Sequence, residues 1–517
     1  MKIKILSPQE AANLIEDNVT VASTGFAFAG TAEDIFLAIE NRFLREEQPC
    51  NLTWVYSSAQ GDMQGRGLEH LAHPGLIKTI VGGYFGQIPL ITKLVESEEL
   101  AAYNFPQGQI AQLYRSIALG QPGLISQVGL HTFVDPRIEG GKVSQRATED
   151  LVEIISISGK DWLLYKTYPI DVAIIRATTA DEHGNLYMER EALRLETLTL
   201  AMAAKRDGGK VIAQVEYVAE IRSLPARLVE IPGVMVDAVV VSENPVSHHS
   251  QTINEVYNPS ILGEFRSSVN TIKELPYGLR KIIARRATME LCGKETINLG
   301  TGMPEGIGSV LFEEGRLGSV YSTIESGVFG GIPKLAPDFG TAYNPDAIIR
   351  HDDQFVYYGS GGIDVAFLGF AEIDNTGSVN VSKFGGRLFG CGGFIDISQN
   401  AKKVIFCGTF TSGGLEADVN ENGIEIVNEG RYNKFVKSIE QITFNGEFAF
   451  RSGHSVFYIT ERCVFELTES GLKLIEIAPG IDLQKDILSC MEFVPLVSSD
   501  LKEMPNEIFK YNRERSG

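Results

Sequence analysis

The residue best placed for chemistry is Glu325, in the stretch I-E-S-G-V-F-G-G-I-P that begins at Ile324. The preceding S-V-Y-S-T-I is rich in β-branched and aromatic residues and reads as a strand. Ser326-Gly327 breaks that strand, and Gly330 and Gly331 let backbone approach closely. A carboxylate at the end of a buried strand, facing glycine backbone, is placed to act as nucleophile or base. Glu-Ser-Gly alone is more often a loop glutamate in a turn, so the assignment needs support from other segments.

Several other stretches could serve such a site. G-T-G-M-P-E-G (Gly300 to Gly306) falls between a predicted strand and a predicted helix. Its glycines admit a ligand to the backbone, and a helix N-terminus offers amides to an anion. The pattern is close to a dinucleotide fingerprint, which leaves the ligand open. G-S-G-G-I-D from Gly359 and G-C-G-G-F-I-D from Gly390 are glycine turns that could form an anion nest, an oxyanion hole or a plain hairpin. P-Q-G at Pro106 to Gly108 offers Gln107, a neutral donor for a carboxylate or thioester oxygen, or simply a turn residue. We find no G-x-S-x-G elbow, no P-loop and no H-E-x-x-H. The adjacent His248 and His249 lie in a polar stretch and read as a solvated pair, and the other six histidines show no ligand spacing.

The elements that must position these residues repeat along the chain. Thr24-Gly25 follows a short strand, V-T-V-A-S-T, just as Thr301-Gly302 follows E-T-I-N-L, at an offset of 277 residues (301 − 24). I-D-V-A-I-I-R from Ile170 matches I-D-V-A-F-L-G from Ile363 at an offset of 193 (363 − 170). That second offset also aligns Asp181 with Asp374, Gly184 with Gly377 and Lys210 with Lys403. The first half therefore carries about 84 extra residues (277 − 193), which include N-F-P-Q-G-Q-I. Strands alternating with helices at Pro8–Ile15, Ala32–Glu47, Tyr277–Leu291 and from Glu305 onward predict two homologous α/β units with mostly parallel sheets. The expected division is residues 1–241, a polar linker at 242–276, and 277–517 carrying Glu325.

Length and composition agree with this division. A chain of 517 residues is too long for one ordinary core. A net charge of −20 argues against sequence-independent binding to nucleic acid or to an anionic membrane surface. No apolar run approaches the length of a membrane span. Ser7, Pro8 and Glu10 read as a capped helix start rather than a signal peptide. Six scattered cysteines without a C-x-x-C read as reduced thiols of a cytoplasmic protein.

In combination these pieces resemble one family. E-S-G followed by G-G-I-P, N-L-G-T-G-M-P-E-G, I-D-V-A-F-L-G, V-S-K-F-G, G-C-G-G-F-I-D and P-Q-G resemble the family I coenzyme A transferases. The likeness is greatest to the single-chain acetate or propionate type, in which two subunit-like halves are fused. The resemblance implies an α/β fold of two homologous open-sheet domains in one chain. It implies that Glu325 is the nucleophile, that Gln107 and Gly393 contribute to an oxyanion or carboxylate hole, and that Asn298 lies beside the glutamate. It gives Gly300, Gly302 and Gly392 to coenzyme A binding. Acyl-CoA and short-chain carboxylic acids become the expected partners and a homo-oligomer the expected assembly, with no metal and no cofactor beyond the thioester substrate.

The expected reaction exchanges coenzyme A between an acyl-CoA and a free acid by ping-pong steps through a glutamyl-CoA thioester. A glutamate with the ordinary pKa of about 4.3 is ionised at neutral pH, so no general base is expected. Ile324, Val328 and Phe329 are expected to keep water out, with the latter two shaping the acyl pocket. An acyl-CoA hydrolase on the same scaffold, a dinucleotide-dependent oxidoreductase using Gly300 to Gly306, and a sugar-phosphate sensor remain as alternatives.

Overall fold

The computed structural model describes residues 2–268 and 274–511; residues 269–273 of the expected linker lie outside the described residues. Two open sheets organise the chain. The first has eight strands, in the order Lys4–Leu6, Ala238–Val241, Lys210–Val215, Val172–Arg176, Thr20–Ser23, Leu52–Tyr56, Ile77–Gly82 and Ala101–Asn104. Every neighbouring pair in it is parallel. Strands buried on both faces favour near-continuous apolar runs, and Val172–Arg176 is buried throughout, with its one charged residue, Arg176, paired to Glu191.

The second sheet has ten strands. Its centre runs Tyr321–Ile324, Thr296–Leu299, Val365–Leu368, Lys403–Cys407 and Ser455–Ile459, all parallel. Antiparallel additions extend both edges, Val328–Phe329 on one side and Cys463–Thr468 with Gly471–Ile477 on the other. The two halves thus repeat each other in space as they do in sequence. Val172–Arg176 lies between Lys210–Val215 and Thr20–Ser23, and its counterpart Val365–Leu368 lies between Lys403–Cys407 and Thr296–Leu299. The likeness extends to single bonds. Asp181 Oδ1 accepts the amides of His183 and Asn185, and Asp374 Oδ1 accepts those of Thr376 and Ser378. Gly184 and Gly377 sit in the two turns at φ of +83° and +79°.

The extra residues of the first half carry the helix Gln107–Ala118 and a three-stranded antiparallel sheet, Gly123–Ser126 with Val152–Ile157 and Lys160–Lys166. That helix packs against His351–Gly359 and Phe394–Asn400 of the second half. The contact is close at Gly108, where a β-carbon would lie 2.4 Å from Phe355 Cδ1 and 2.7 Å from Asp396 Oδ1. Asp396 Oδ2 accepts the Gly108 amide at 3.0 Å and Oδ1 accepts Gln109 Nε2 at 2.7 Å. A carboxylate from one half thereby caps the N-terminus of a helix from the other.

The reading of His248 and His249 as a solvated pair is overturned. His248 Nδ1 meets Asp34 at 2.6 Å, and the buried His249 Nε2 meets Glu191 at 2.9 Å. Adjacent side chains diverge, and each finds its own acid. The Gly359 turn closes the helix His351–Gly359, with Ser360, Gly361 and Gly362 amides donating to the carbonyls of its last turn.

Candidate active site

Glu325 stands at the tip of a three-residue hairpin loop. Ser322, Thr323 and Ile324 are buried, and Ile324 then pairs antiparallel with Val328. Gly327 makes the reversal at φ +110°, where a β-carbon would come 2.2 Å from the Ile349 carbonyl oxygen, so only glycine fits. Ser326 Oγ fastens the loop to the Gly340 carbonyl at 2.5 Å. The glutamate is 8% exposed, and its Oε2 has no hydrogen-bond partner among the described residues.

Asn298 lies on the neighbouring strand, in register with Thr323. Its Nδ2 donates to Tyr358 Oη at 3.0 Å, and its presence beside Glu325 favours the ionised carboxylate. Tyr358 in turn donates to Thr323 Oγ1, and Thr323 to the Ile297 carbonyl. The chain of bonds fixes the amide beside the carboxylate.

The expectation of an ordinary glutamate does not hold. Burial pushes the Glu325 carboxyl up to about 7, against the opposing pull of a backbone amide, the His351 ring and Asn298. The E-S-G motif shows a turn; it does not show that the other half of the chain roofs that turn.

The roof and the glutamate enclose a cavity of about 200 Å³. Glu325, Gly300, Gly392, Gly393 and Gln107 all line it. Gln107, the first residue of its helix, is buried, and its backbone N–H donates to the Gly392 carbonyl at 2.9 Å. The G-C-G-G turn spends most of its amides on the protein. Gly390 donates to Ser382, Cys391 to Asn104 Oδ1, and Gly392 to Gly83. The Gly393 amide alone in that turn has no protein partner among the described residues, which leaves it free for a ligand oxygen.

Gly302 is not brought to the cavity. Its amide donates to Glu305 Oε1 at 2.9 Å, and its carbonyl accepts from Arg280. The Glu305 carboxylate thus holds the Gly302 turn against the start of its own helix. Ile324, Val328 and Phe329, expected to keep water out, do not line the cavity. Ile324 and Val328 pack with Phe26, Leu195 and Ala342 in a separate core cluster, and the Phe329 ring faces Tyr357. The apolar lining includes Phe26, Phe339, Leu368, Val381, Phe394 and Ile397.

Three buried polar residues beside the cavity belong to none of the motifs. His351, fully buried, meets Gln107 through Nε2 and Glu196 through Nδ1, each at 2.7 Å. Ser57 donates to the other oxygen of Glu196. Glu196 and His351 are 155 residues apart, so no local pattern could pair them. Among the described residues no group of three or more His, Cys, Asp or Glu is arranged to hold a metal ion, and no helix is long and apolar enough to cross a membrane.

This arrangement brings a lone carboxylate into one cavity with Gln107 of the first half and the Gly393 amide of its own half. Comparison with known proteins agrees on the class: the coenzyme A transferase family pattern matches residues 5–242. Caffeate CoA-transferase of Acetobacterium woodii is 45% identical over 511 residues, covering 98% of this chain and 97% of that one. Acetate CoA-transferase YdiF of Escherichia coli K12 is 42% identical over 510 residues, covering 98% and 95%. The crystal structure of the acyl-CoA transferase YdiF from E. coli O157:H7, a thioester complex with CoA, superposes with a TM-score of 0.92 at 40% identity, over 99% of this chain and 96% of that one. The chain belongs to the coenzyme A transferase family.

Proposed function

We propose that the protein moves coenzyme A from a short-chain acyl-CoA to a free carboxylate through a thioester on Glu325. The observation that carries this reading is the Glu325 carboxylate in the cavity, with Oε2 unpartnered and with Gln107 and the unspent Gly393 amide lining the same cavity. Support also comes from the thioester complex with CoA described for YdiF.

The ionised carboxylate attacks the thioester carbonyl, the C–S bond breaks, and CoA thiolate leaves behind a mixed anhydride. The thiolate then attacks the glutamyl carbonyl, expelling the first acid as its carboxylate and leaving Glu325 as the CoA thioester. The acceptor acid reverses both steps. Thioester energy is conserved, so no nucleotide is hydrolysed. Each step passes through a tetrahedral oxyanion, and one oriented donor to it is worth about 2.7–4 kcal/mol. The apolar lining excludes water that would hydrolyse either intermediate. A carboxylate whose pKa is about 7 is the stronger nucleophile for being buried, at the cost of being only partly ionised at neutral pH.

Mass spectrometry tests this reading. Protein treated with acetyl-CoA and freed of acetate should gain the mass of CoA less water, on the peptide holding Ile324 to Pro333, and hydroxylamine should discharge it. Glu325→Ala should gain nothing. An adduct on Cys391, or none at all, rejects the proposal. Steady release of free CoA without an acceptor acid would favour the hydrolase reading.

A further inference from the structure

The contact between Gln107 and His351 joins nitrogen to nitrogen. Gln107 Nε2 lies 2.7 Å from the ring Nε2, so one of them must be a bare acceptor. An amide nitrogen cannot accept, so the ring nitrogen does. The ring proton is then on Nδ1, donated to Glu196 Oε2 at 2.7 Å. In this state the ring is neutral, and Gln107 turns its Oε1 towards Gly392, 3.7 Å from where a β-carbon at that position would sit. The cavity is therefore offered a carbonyl oxygen, which repels an oxyanion. A second proton on the ring reverses the contact. Nε2–H must then donate, the amide turns over, Oε1 accepts from the ring, and the NH₂ group faces the cavity.

We propose that His351, held by Glu196, is a positioning residue whose protonation decides whether Gln107 presents a donor or an acceptor to the reacting oxygen. The proposal rests on the reading of Glu325 and Gln107 given above, and it adds a histidine that the proposed chemistry does not itself require.

The surroundings suit the role. Glu196 is fully buried and is kept in place by Ser57 and by its position just before the helix Thr197–Arg206. Its Oε2 faces Nδ1 and so fixes which ring nitrogen is turned to Gln107. Glu325 and Asp396 lie within electrostatic reach of the ring, and Tyr114 within reach of Glu196. Phe26 and Phe355 meet the ring edge-on, at 6.3 Å and 5.1 Å between centroids, and hold its plane. Arg350, Asp352 and Asp353, its chain neighbours, are engaged with one another, with Arg115 and with Glu230, away from the ring. His351 belongs to the second half of the chain, whereas Gln107, Glu196 and Ser57 belong to the first. The orientation of the donor thus depends on both halves.

The test is the pH dependence of kcat in four variants, with folding followed by thermal melts. In the parent enzyme kcat should fall on the alkaline side as the ring loses its second proton. Glu196→Gln removes the neighbouring charge, and the alkaline limb should move to lower pH by about one unit or more, with KM for acyl-CoA changed less than about threefold. Glu196→Asp keeps the charge and should bring the limb back towards its original position even if the fold is weakened. Gln107→Ala should lower kcat about 10²–10³-fold and abolish the limb, and adding Glu196→Gln to it should change nothing further. A limb that stays put in Glu196→Gln, or that persists and still shifts in the Gln107→Ala background, overturns the proposal. Formation of the CoA adduct on Glu325 is measured in the same variants. Its presence with an unmoved limb rejects the positioning role alone, and its absence from the parent enzyme rejects the nucleophile.

Discussion

Replacing Glu325 by Gln should make the protein more stable while destroying transfer, and the gain should depend on pH. The carboxyl titrates near 7 in the folded chain against 4.5 when freely solvated. Between those two values the folded state holds a proton that the unfolded state has lost. Folding therefore becomes less favourable as pH rises through this window, and the loss is complete above about pH 7. At about 1.36 kcal/mol per pH unit the full cost is about 3 kcal/mol. Glutamine keeps the shape of the protonated side chain and never ionises, so it escapes this cost. Near pH 4.5 the two proteins should differ only by a constant from packing. By pH 8 the variant should have pulled ahead by about 3 kcal/mol, or about 3–6 °C in Tm at about 1–2 °C per kcal/mol for a chain of this length. Urea and thermal melts of both proteins at intervals from pH 4.5 to 8.5 would measure the gap. Curves that run parallel across the range would refute the reasoning, because they would mean that burial does not hold Glu325 near neutrality.

The same carboxyl should govern the rate. With the nucleophile active only when ionised, kcat/KM for acyl-CoA should rise about tenfold per pH unit below about 7, up to the alkaline limb proposed above, and an acid limb near 4 would contradict the assignment. Cys391→Ser should still take up CoA at Glu325, because burial and the nearby Asp396 push the Cys391 thiol far above its ordinary value and keep it unreactive; loss of the adduct in that variant would implicate the thiol. Gly108→Ala should destabilise by about 1–3 kcal/mol, since its β-carbon would press on the Phe355 ring and the Asp396 carboxylate, and an unchanged Tm would mean that the two halves yield easily at this contact.

The duplicated architecture was legible in the sequence because its most regular features are local. A constant offset of 193 residues links strand to strand, and the turns at Asp181 and Asp374 carry it down to equivalent hydrogen bonds. The helix start at Ser7, Pro8 and Glu10 forms the capping box that its residue types imply. Glu325, Gly300, Gly393 and Gln107 were legible as motifs for a related reason: each needs glycine or a strand end beside it. Whatever depends on the meeting of distant segments was not legible. R-H-D-D gives no sign that His351 faces Glu196 and Gln107. H-H gives no sign that its two rings diverge towards Asp34 and Glu191. I-E-S-G-V-F gives no sign that its apolar residues turn away from the cavity they flank.

These features share one physical cause, which is the seam between the halves. Glu325 and Asn298 are supplied by the second sheet, and Gln107 by the helix inserted into the first half. The seam buries the carboxylate, and burial raises its pKa. Asp396 reaches across to cap the helix that begins at Gln107, and the absence of a side chain at Gly108 lets that helix approach. A rigid seam is what an oxyanion donor requires, since a misplacement of about 1 Å can cost about 10²-fold in rate. Fusing the halves in one chain raises their effective concentration but does not set this geometry. The geometry is set by Gly108 against Phe355, by Asp396 on Gly108 and Gln109, and by His351 between Glu196 and Gln107. A loosened seam would hydrate and acidify Glu325 while moving Gln107 away from it, so nucleophile strength and oxyanion stabilisation should fail together.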